Sequence, residues 1–136
     1  MADFALPPQL RIELERIATA VFKPAGDALF RRGDQVSGTY LIRSGKVRLC
    51  LESKKELYPT RMLGAGCVAS LPATMSGSAY SLTATVAEDA ELGFVSRDAF
   101  LRLMAKDTSL CFQTMDFLSR EITDIRSAIS TETFPV

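Results

Sequence analysis

The reactive side chains of this sequence set narrow limits on its chemistry, because the chain contains no histidine. Without imidazole there is no Ser-His-Asp or Cys-His nucleophile, no histidine acid or base, and no histidine ligand for zinc or haem. Three cysteines, Cys50, Cys67 and Cys111, are scattered and form no CxxC pair. Asp27 and Asp34 lie in turn-like sequence rather than in a catalytic pair. We expect a non-enzymatic protein with no cofactor and no metal.

The composition suits one globular domain covering residues 1–136. The chain is 47% hydrophobic and carries 16 Lys+Arg against 16 Asp+Glu, so no excess charge attracts nucleic acid or an anionic membrane. No signal peptide and no membrane-spanning stretch is recognisable. The scattered cysteines favour a reducing compartment, which predicts a cytoplasmic protein.

Apolar residues at helical spacing begin the chain. Leu10, Leu14, Ile17, Ala18 and Val21 lie three or four residues apart after two prolines, which predicts an amphipathic helix. The following Lys-Pro-Ala-Gly-Asp run ends it.

Short strands separated by turns follow the first helix. The predicted strands cover residues 28–31, 40–43, 46–51, 56–62, 82–86 and 92–95. Ser44 and Gly45 predict a hairpin between two of these strands, and the polar residues 87–91 predict a turn between two others. Pro59 favours an edge position for its strand. This spacing favours a sandwich or barrel over a parallel sheet.

Two helices are predicted at the end of the chain. Ser96 is a suitable N-cap for the first, and the second covers about residues 109–130. Its apolar seam, spaced four and three residues apart, consists of Cys111, Met115, Leu118, Ile122, Ile125 and Ile129. Leu110, Thr114 and Phe117 form a second, weaker stripe. We expect the weaker stripe to lie on the barrel and the seam to form a homodimer; alternatively, both pack within one monomer.

Four motifs in order resemble the cyclic-nucleotide-binding domain of the CRP/FNR superfamily. They cover residues 26–34, 40–47, 64–66 and 90–100, and the resemblance extends over about residues 10–129. It implies a mainly β fold with flanking helices: a double-stranded β-helix (jelly-roll) barrel, or β-roll, over about residues 20–95, an N-terminal helix and two C-terminal helices. The last helix is long and serves for dimerisation.

The same resemblance implies a phosphate-binding cassette and shows that it is altered. Ser70 occupies the position of a glycine, Leu71 that of the glutamate that binds the ribose, and Leu82 that of the arginine that binds the phosphate; Thr83 and Ala84 match the family. A slip of one residue would place Ser81 at the arginine position. The implied candidate pocket consists of Ser70, Leu71, Pro72, Ala73, Leu82, Thr83 and Ala84. A charge-assisted hydrogen bond contributes about 1.5–3 kcal/mol to binding. Losing the two bonds of the glutamate and the arginine therefore lowers the affinity for a cyclic nucleotide by roughly two to four orders of magnitude.

Three functions follow from these residues. The first is a regulatory module that binds an unidentified small molecule, or none, and signals to a partner protein through its last helix. The second is a structural, protein-interaction dimer with a filled pocket. The third, an enzyme on a cupin-like barrel, is disfavoured by the absence of histidine. The seven residues after Ile129 cannot form a DNA-binding domain, so we expect no direct DNA binding unless the chain is the effector half of a longer transcription regulator.

Overall fold

Six strands and four helices make up the part of the chain that the structure describes. The computed structural model describes the backbone of residues 6–53 and 56–131 and the side chains of residues 6–51 and 60–120. The elements in chain order are α1 (Pro8–Ile17), β1 (Thr19–Lys23), β2 (Ala28–Phe30), β3 (Gly38–Ser53), β4 (Glu56–Leu63), β5 (Val68–Ala69), α2 (Leu71–Ser76), β6 (Thr83–Ser96), α3 (Arg97–Lys106) and α4 (Thr108–Thr131). The predicted β fold with flanking helices is confirmed.

Two long antiparallel strands, β3 and β6, form the centre of the sheet. The strand order is β1-β6-β3-β4, with β2 also paired to β6 and β5 to β3. The pairing of β3 with β6 runs from Gly38 opposite Ser96 to Cys50 opposite Thr83. The predicted strand with Pro59 is confirmed as β4, and it lies at the end of this order, as proline favours.

The predicted hairpin at Ser44 and Gly45 is wrong, as is the predicted turn at residues 87–91. Both segments lie inside the continuous strands β3 and β6. The register shifts there, with Ser44 opposite Glu91 and Lys46 opposite Glu88. Gly45 has φ +85°, and a Cβ at this position would collide with the Asp89 carbonyl. The turn-like residues therefore mark a β-bulge. It bends the paired strands β3 and β6, but neither strand changes direction to form a hairpin.

The first helix is shorter than its apolar spacing predicts. It ends at Ile17, because Ala18 adopts an extended backbone with ψ 144°. Val21, predicted to be helical, lies instead in β1, opposite Leu92 of β6. Thr19, Val21 and Phe22 are β-branched or aromatic, and pairing with β6 outweighs the helical spacing.

Two separate hydrophobic cores result from the alternation of side chains along the strands. The barrel core lies inside the sheet and includes Phe30, Ile42, Val47, Leu49, Leu63, Ala69, Ala73, Tyr80, Ala84, Val86, Ala90 and Leu92. The helix core lies between the sheet and the helices and includes Leu6, Leu10, Leu14, Leu41, Val68, Leu71, Val95, Phe100, Met104, Leu110 and Phe117. Neighbouring residues such as Leu41 and Ile42 face opposite cores, as a strand requires.

The two C-terminal helices begin at side-chain caps. Ser96 Oγ accepts from the Ala99 amide at 3.2 Å, which confirms the predicted N-cap, and Asp107 Oδ1 accepts from the Leu110 amide at 3.2 Å. On α4 the weaker stripe of Leu110, Thr114 and Phe117 is buried, as predicted.

Only part of the described seam of α4 faces away from the barrel. Cys111 and Leu118 are half-buried and pack against the helix core, whereas Met115 is 53% exposed. Phe112, next to the seam, is 65% exposed. Ile122, Ile125 and Ile129 lie outside the residues whose side chains are described.

Candidate functional site

The cassette begins with a strained serine. Ser70 has φ +69°, the left-handed region that favours glycine, and no other non-glycine residue of the described part has a positive φ. Its Oγ does not cap α2 and instead lies 3.0 Å from the Gly38 carbonyl oxygen. The Ser70 carbonyl accepts from the amide and hydroxyl of Thr74, at 3.1 and 2.8 Å. The left-handed backbone of Ser70 is one that glycine adopts without strain, in keeping with the glycine that the resemblance implies at this position.

The two leucines at the charged positions of the family lie in different cores. Leu71 is 1% exposed and belongs to the helix core. Leu82 is half-buried and packs against the barrel core. The structure therefore places the two predicted substitutions on opposite sides of the sheet and does not bring their side chains together.

The remaining candidate residues also do not form one pocket. Ala73 and Ala84 belong to the barrel core with Leu82, whereas Pro72 is exposed. Thr83 is 3% exposed, and its Oγ1 accepts from the Arg32 amide at 3.1 Å. The Thr83 hydroxyl thus holds the β2–β3 loop against β6.

An aromatic stack that the sequence did not reveal lies in the same core as Leu82. The rings of Phe30 and Tyr80 lie 4.0 Å apart between centroids, at an interplanar angle of 14°. Tyr80 is 3% exposed, and its hydroxyl accepts from the amides of Ser37 and Gly38 at 3.0 and 3.3 Å and donates to the Gly38 carbonyl at 3.0 Å. Tyr80 is the only aromatic residue between positions 66 and 86. A single large ring in this polar and small-residue stretch is the sequence feature that could have identified it as a core residue.

Further aromatic rings extend this stack across the sheet. Tyr40 lies 6.3 Å from Phe30 and 5.0 Å from Phe94, measured between ring centroids. Burial raises the pKa of the Tyr40 hydroxyl above its ordinary value, and the neighbouring Tyr80 adds to the rise. Both effects indicate an interior that disfavours negative charge.

An open groove lies elsewhere, on the outside of the barrel. It has a volume of about 250 Å³ and is lined by Arg11, Glu15, Leu41, Ile42, Arg43, Ala65, Gly66 and Cys67. None of the seven predicted pocket residues contributes to it.

The described residues contain no group of three or more metal-ligating side chains of the kind that histidine, cysteine and carboxylates form. Cys50, Cys67 and Cys111 are free thiols. No helix in the described part has the length and apolarity needed to cross a membrane.

Comparisons with known proteins agree with this architecture. The family model for the cyclic nucleotide-binding domain matches residues 20–107. No curated protein matches the chain significantly. Among solved structures, the Thermus thermophilus catabolite activator protein is 23% identical with a TM-score of 0.80; the match covers 93% of this chain and 60% of that protein. The chain thus spans about three fifths of the length of that relative.

The chain is also similar to two further solved structures. The sensor domain of the Pseudomonas aeruginosa transcriptional regulator DNR is 21% identical with a TM-score of 0.71, covering 96% of this chain and 87% of that one. The EAL enzyme Bd1971 in its cAMP-bound form is 22% identical with a TM-score of 0.65, covering 81% and 30%. These likenesses confirm the predicted jelly-roll fold. The chain belongs to the cyclic nucleotide-binding domain family.

Proposed function

We propose that this chain is a non-enzymatic, cytoplasmic regulatory module that does not bind cyclic AMP in the usual pose of its family and acts through contacts of α4. The observation that carries the proposal is the apolar barrel core beside Leu82. Leu82 occupies the position of the phosphate-binding arginine, and the Phe30–Tyr80 stack lies in the same core. An anionic phosphate entering there would lose its hydration without gaining a charged partner.

The cassette is connected to α4 through α3. Arg97, at the start of α3, donates its Nε–H to the Thr74 carbonyl of α2 at 3.0 Å. On α4, Thr114 Oγ1 lies 3.4 Å from the Met104 sulfur of α3. These contacts support a route by which a change beside the barrel shifts α4, where a second copy or a partner protein would read it.

Isothermal titration calorimetry with cyclic AMP and cyclic GMP tests the closed barrel. We expect no saturable heat below about 1 mM nucleotide, where the affinity is only about −4 kcal/mol. The Bd1971 cyclic-nucleotide domain, whose structure is known with cAMP bound, serves as the positive control under the same conditions. Micromolar binding by this chain would refute the proposal.

Sedimentation equilibrium tests the dimer. The wild-type chain is expected at twice its mass of 14.9 kDa. Met115→Glu places a charge on an exposed seam residue and should shift the protein to monomer. Ser109→Glu adds the same charge at an exposed position on a different face of α4 and should leave the dimer intact. A wild-type monomer, or equal effects of both variants, would refute dimerisation through α4.

A further inference from the structure

The groove outside the barrel is an open cavity lined by charged residues. It lies between α1 and the segment that joins β4 to β5, and its buried lining includes Leu41 and Ile42, at 3% and 2% exposure. The joining turn is held in place: the Gly66 amide donates to the Ile42 carbonyl at 2.9 Å, and the Gly66 carbonyl accepts from the Leu6 amide at 3.2 Å. One wall of the groove is therefore fixed by backbone hydrogen bonds.

An ion pair fixes one of the two arginines that line the groove. Arg43 donates Nη2–H and Nε–H to Glu15 Oε1 at 2.8 and 3.0 Å, a fork-shaped contact between β3 and α1. The pair lies over Gly93, where an added Cβ would be 3.1 Å from both Arg43 and Glu15. The absence of a side chain at Gly93 lets the two groups lie close to the sheet. The pair leaves N–H groups of Arg43 available for another acceptor.

The second arginine, Arg11, carries the positive charge that the ion pair does not neutralise. Arg11 lies one helical turn before Glu15 on the same face of α1, is exposed, and forms no ion pair within 4.0 Å with a described residue. Two guanidinium groups and one carboxylate line the groove, and the hydrogen-bonded Glu15 together with the nearby Glu91 raises the pKa of Arg43. Guanidinium groups bind carboxylates and phosphates through paired N–H donors.

We propose that this groove binds a small oxyanion, a carboxylate or a phosphate monoester, between Arg11 and Arg43. At about 250 Å³ it is slightly smaller than the sites that hold drug-sized ligands, which measure about 300–1,000 Å³, so it suits a small metabolite. The site is independent of the barrel interior, and it stands whether or not the barrel accepts a cyclic nucleotide.

Nuclear magnetic resonance of ¹⁵N-labelled protein tests the groove with two probes, inorganic phosphate and succinate, titrated at constant ionic strength. We expect saturable shifts of the Nε–H signals of Arg11 and Arg43 and of the Gly66 and Cys67 amides. Shifts with phosphate alone or with succinate alone assign the class of the natural ligand. Unsaturable shifts spread over all exposed arginines, or no shifts, would overturn the proposal.

Matched variants separate the groove from general charge effects. Arg11→Gln should weaken anion binding at least about tenfold, because a charge-assisted contact is lost, and Arg11→Lys should restore part of it. Arg16→Gln removes an equal charge from the same helix at a side chain that is 72% exposed and paired with Glu13, outside the groove. If Arg16→Gln weakens binding as much as Arg11→Gln, the site is not in the groove. Unchanged barrel signals show that each variant is folded.

Discussion

The barrel interior is lined by apolar and aromatic side chains, whereas the lining of the groove beside α1 includes charged ones. In the barrel, the position of the family's phosphate-binding arginine holds Leu82, and Phe30 and Tyr80 stack at 4.0 Å. In the groove, Arg43 is fixed by Glu15 and Arg11 has no acidic partner among the described residues. The scaffold thus has an apolar interior where the resemblance implies a phosphate site, and two arginines in a groove on the outside.

This difference shows that a conserved fold does not guarantee a conserved site. The backbone of the cassette is retained, including a left-handed residue at Ser70 and a short helix after it. At the positions where the resemblance implies charged side chains, the chain has Leu71 and Leu82. Function must therefore be inferred from the side chains in the barrel, and the following experiments test whether they form a core or a site.

The largest expected effect is that of removing the ring that fills the barrel. Tyr80→Ala should lower the free energy of unfolding by about 3–5 kcal/mol, because it leaves a cavity beside Phe30 and unpaired amides at Ser37 and Gly38. Urea denaturation measures this. Phe22→Ala, at an aromatic residue that is 61% exposed, is the control and should cost less than about 1 kcal/mol. Equal losses would mean that Tyr80 is not part of a packed core.

Restoring the two charges of the family tests whether their positions share a pocket. Leu71→Glu should lower the free energy of unfolding by about 3 kcal/mol. The side chain is 1% exposed in the helix core, where a carboxyl group must be desolvated or protonated. Leu82→Arg should cost less, because Leu82 is only half-buried. The double variant should equal the sum of the single ones to within about 0.5 kcal/mol. A double variant clearly more stable than Leu71→Glu alone would show that the two groups meet.

A smaller effect is expected from removing one hydroxyl. Tyr80→Phe keeps the ring stack but leaves the Ser37 and Gly38 amides without their acceptor, which should cost about 1–3 kcal/mol. Tyr40→Phe is the matched control, because no described residue forms a hydrogen bond with the Tyr40 hydroxyl. Thermal denaturation of both variants measures the difference. If Tyr80→Phe is as stable as Tyr40→Phe, the hydroxyl does not hold the stack.

The smallest effect concerns pH. Burial raises the folded-state pKa of Tyr40, so its neutral form is favoured in the native protein. The contribution of the Tyr40 hydroxyl to the free energy of unfolding is complete below its pKa in the unfolded chain, about 10. It is lost as the pH rises through the pKa in the folded protein. Wild type should therefore lose more stability than Tyr40→Phe above about pH 10, by less than 1.4 kcal/mol per pH unit. Parallel stability curves for the two proteins would contradict this.

The sequence predicted the parts of the fold that local chemistry determines. Ser96 as an N-cap and Pro59 on an edge strand follow from single residues and their hydrogen-bonding groups. The bend at Gly45 could not be predicted, because a glycine that relieves a contact with another strand looks like a glycine in a hairpin. The end of α1 at Ile17 depends on pairing between β1 and β6, which are distant in sequence.

The candidate site was predictable only in part. The resemblance to the family drew attention to Leu71 and Leu82, but the sequence does not show that these side chains face different cores. The contact of Tyr80 with Phe30 joins residues 50 positions apart, so it becomes visible only in the folded chain. The pairing of Arg43 with Glu15 is hidden for the same reason.

The most direct test of the closed barrel is a methyl spectrum with the Leu82 and Ala84 methyl groups labelled, recorded with and without about 1 mM cyclic AMP. Both methyl groups lie at the barrel core, so a nucleotide in the family's usual pose must change their surroundings. Our account predicts that their signals do not move, even if signals of Arg11 in the outer groove do. Saturable shifts of Leu82 and Ala84 would show that the barrel opens to the nucleotide and would contradict the account.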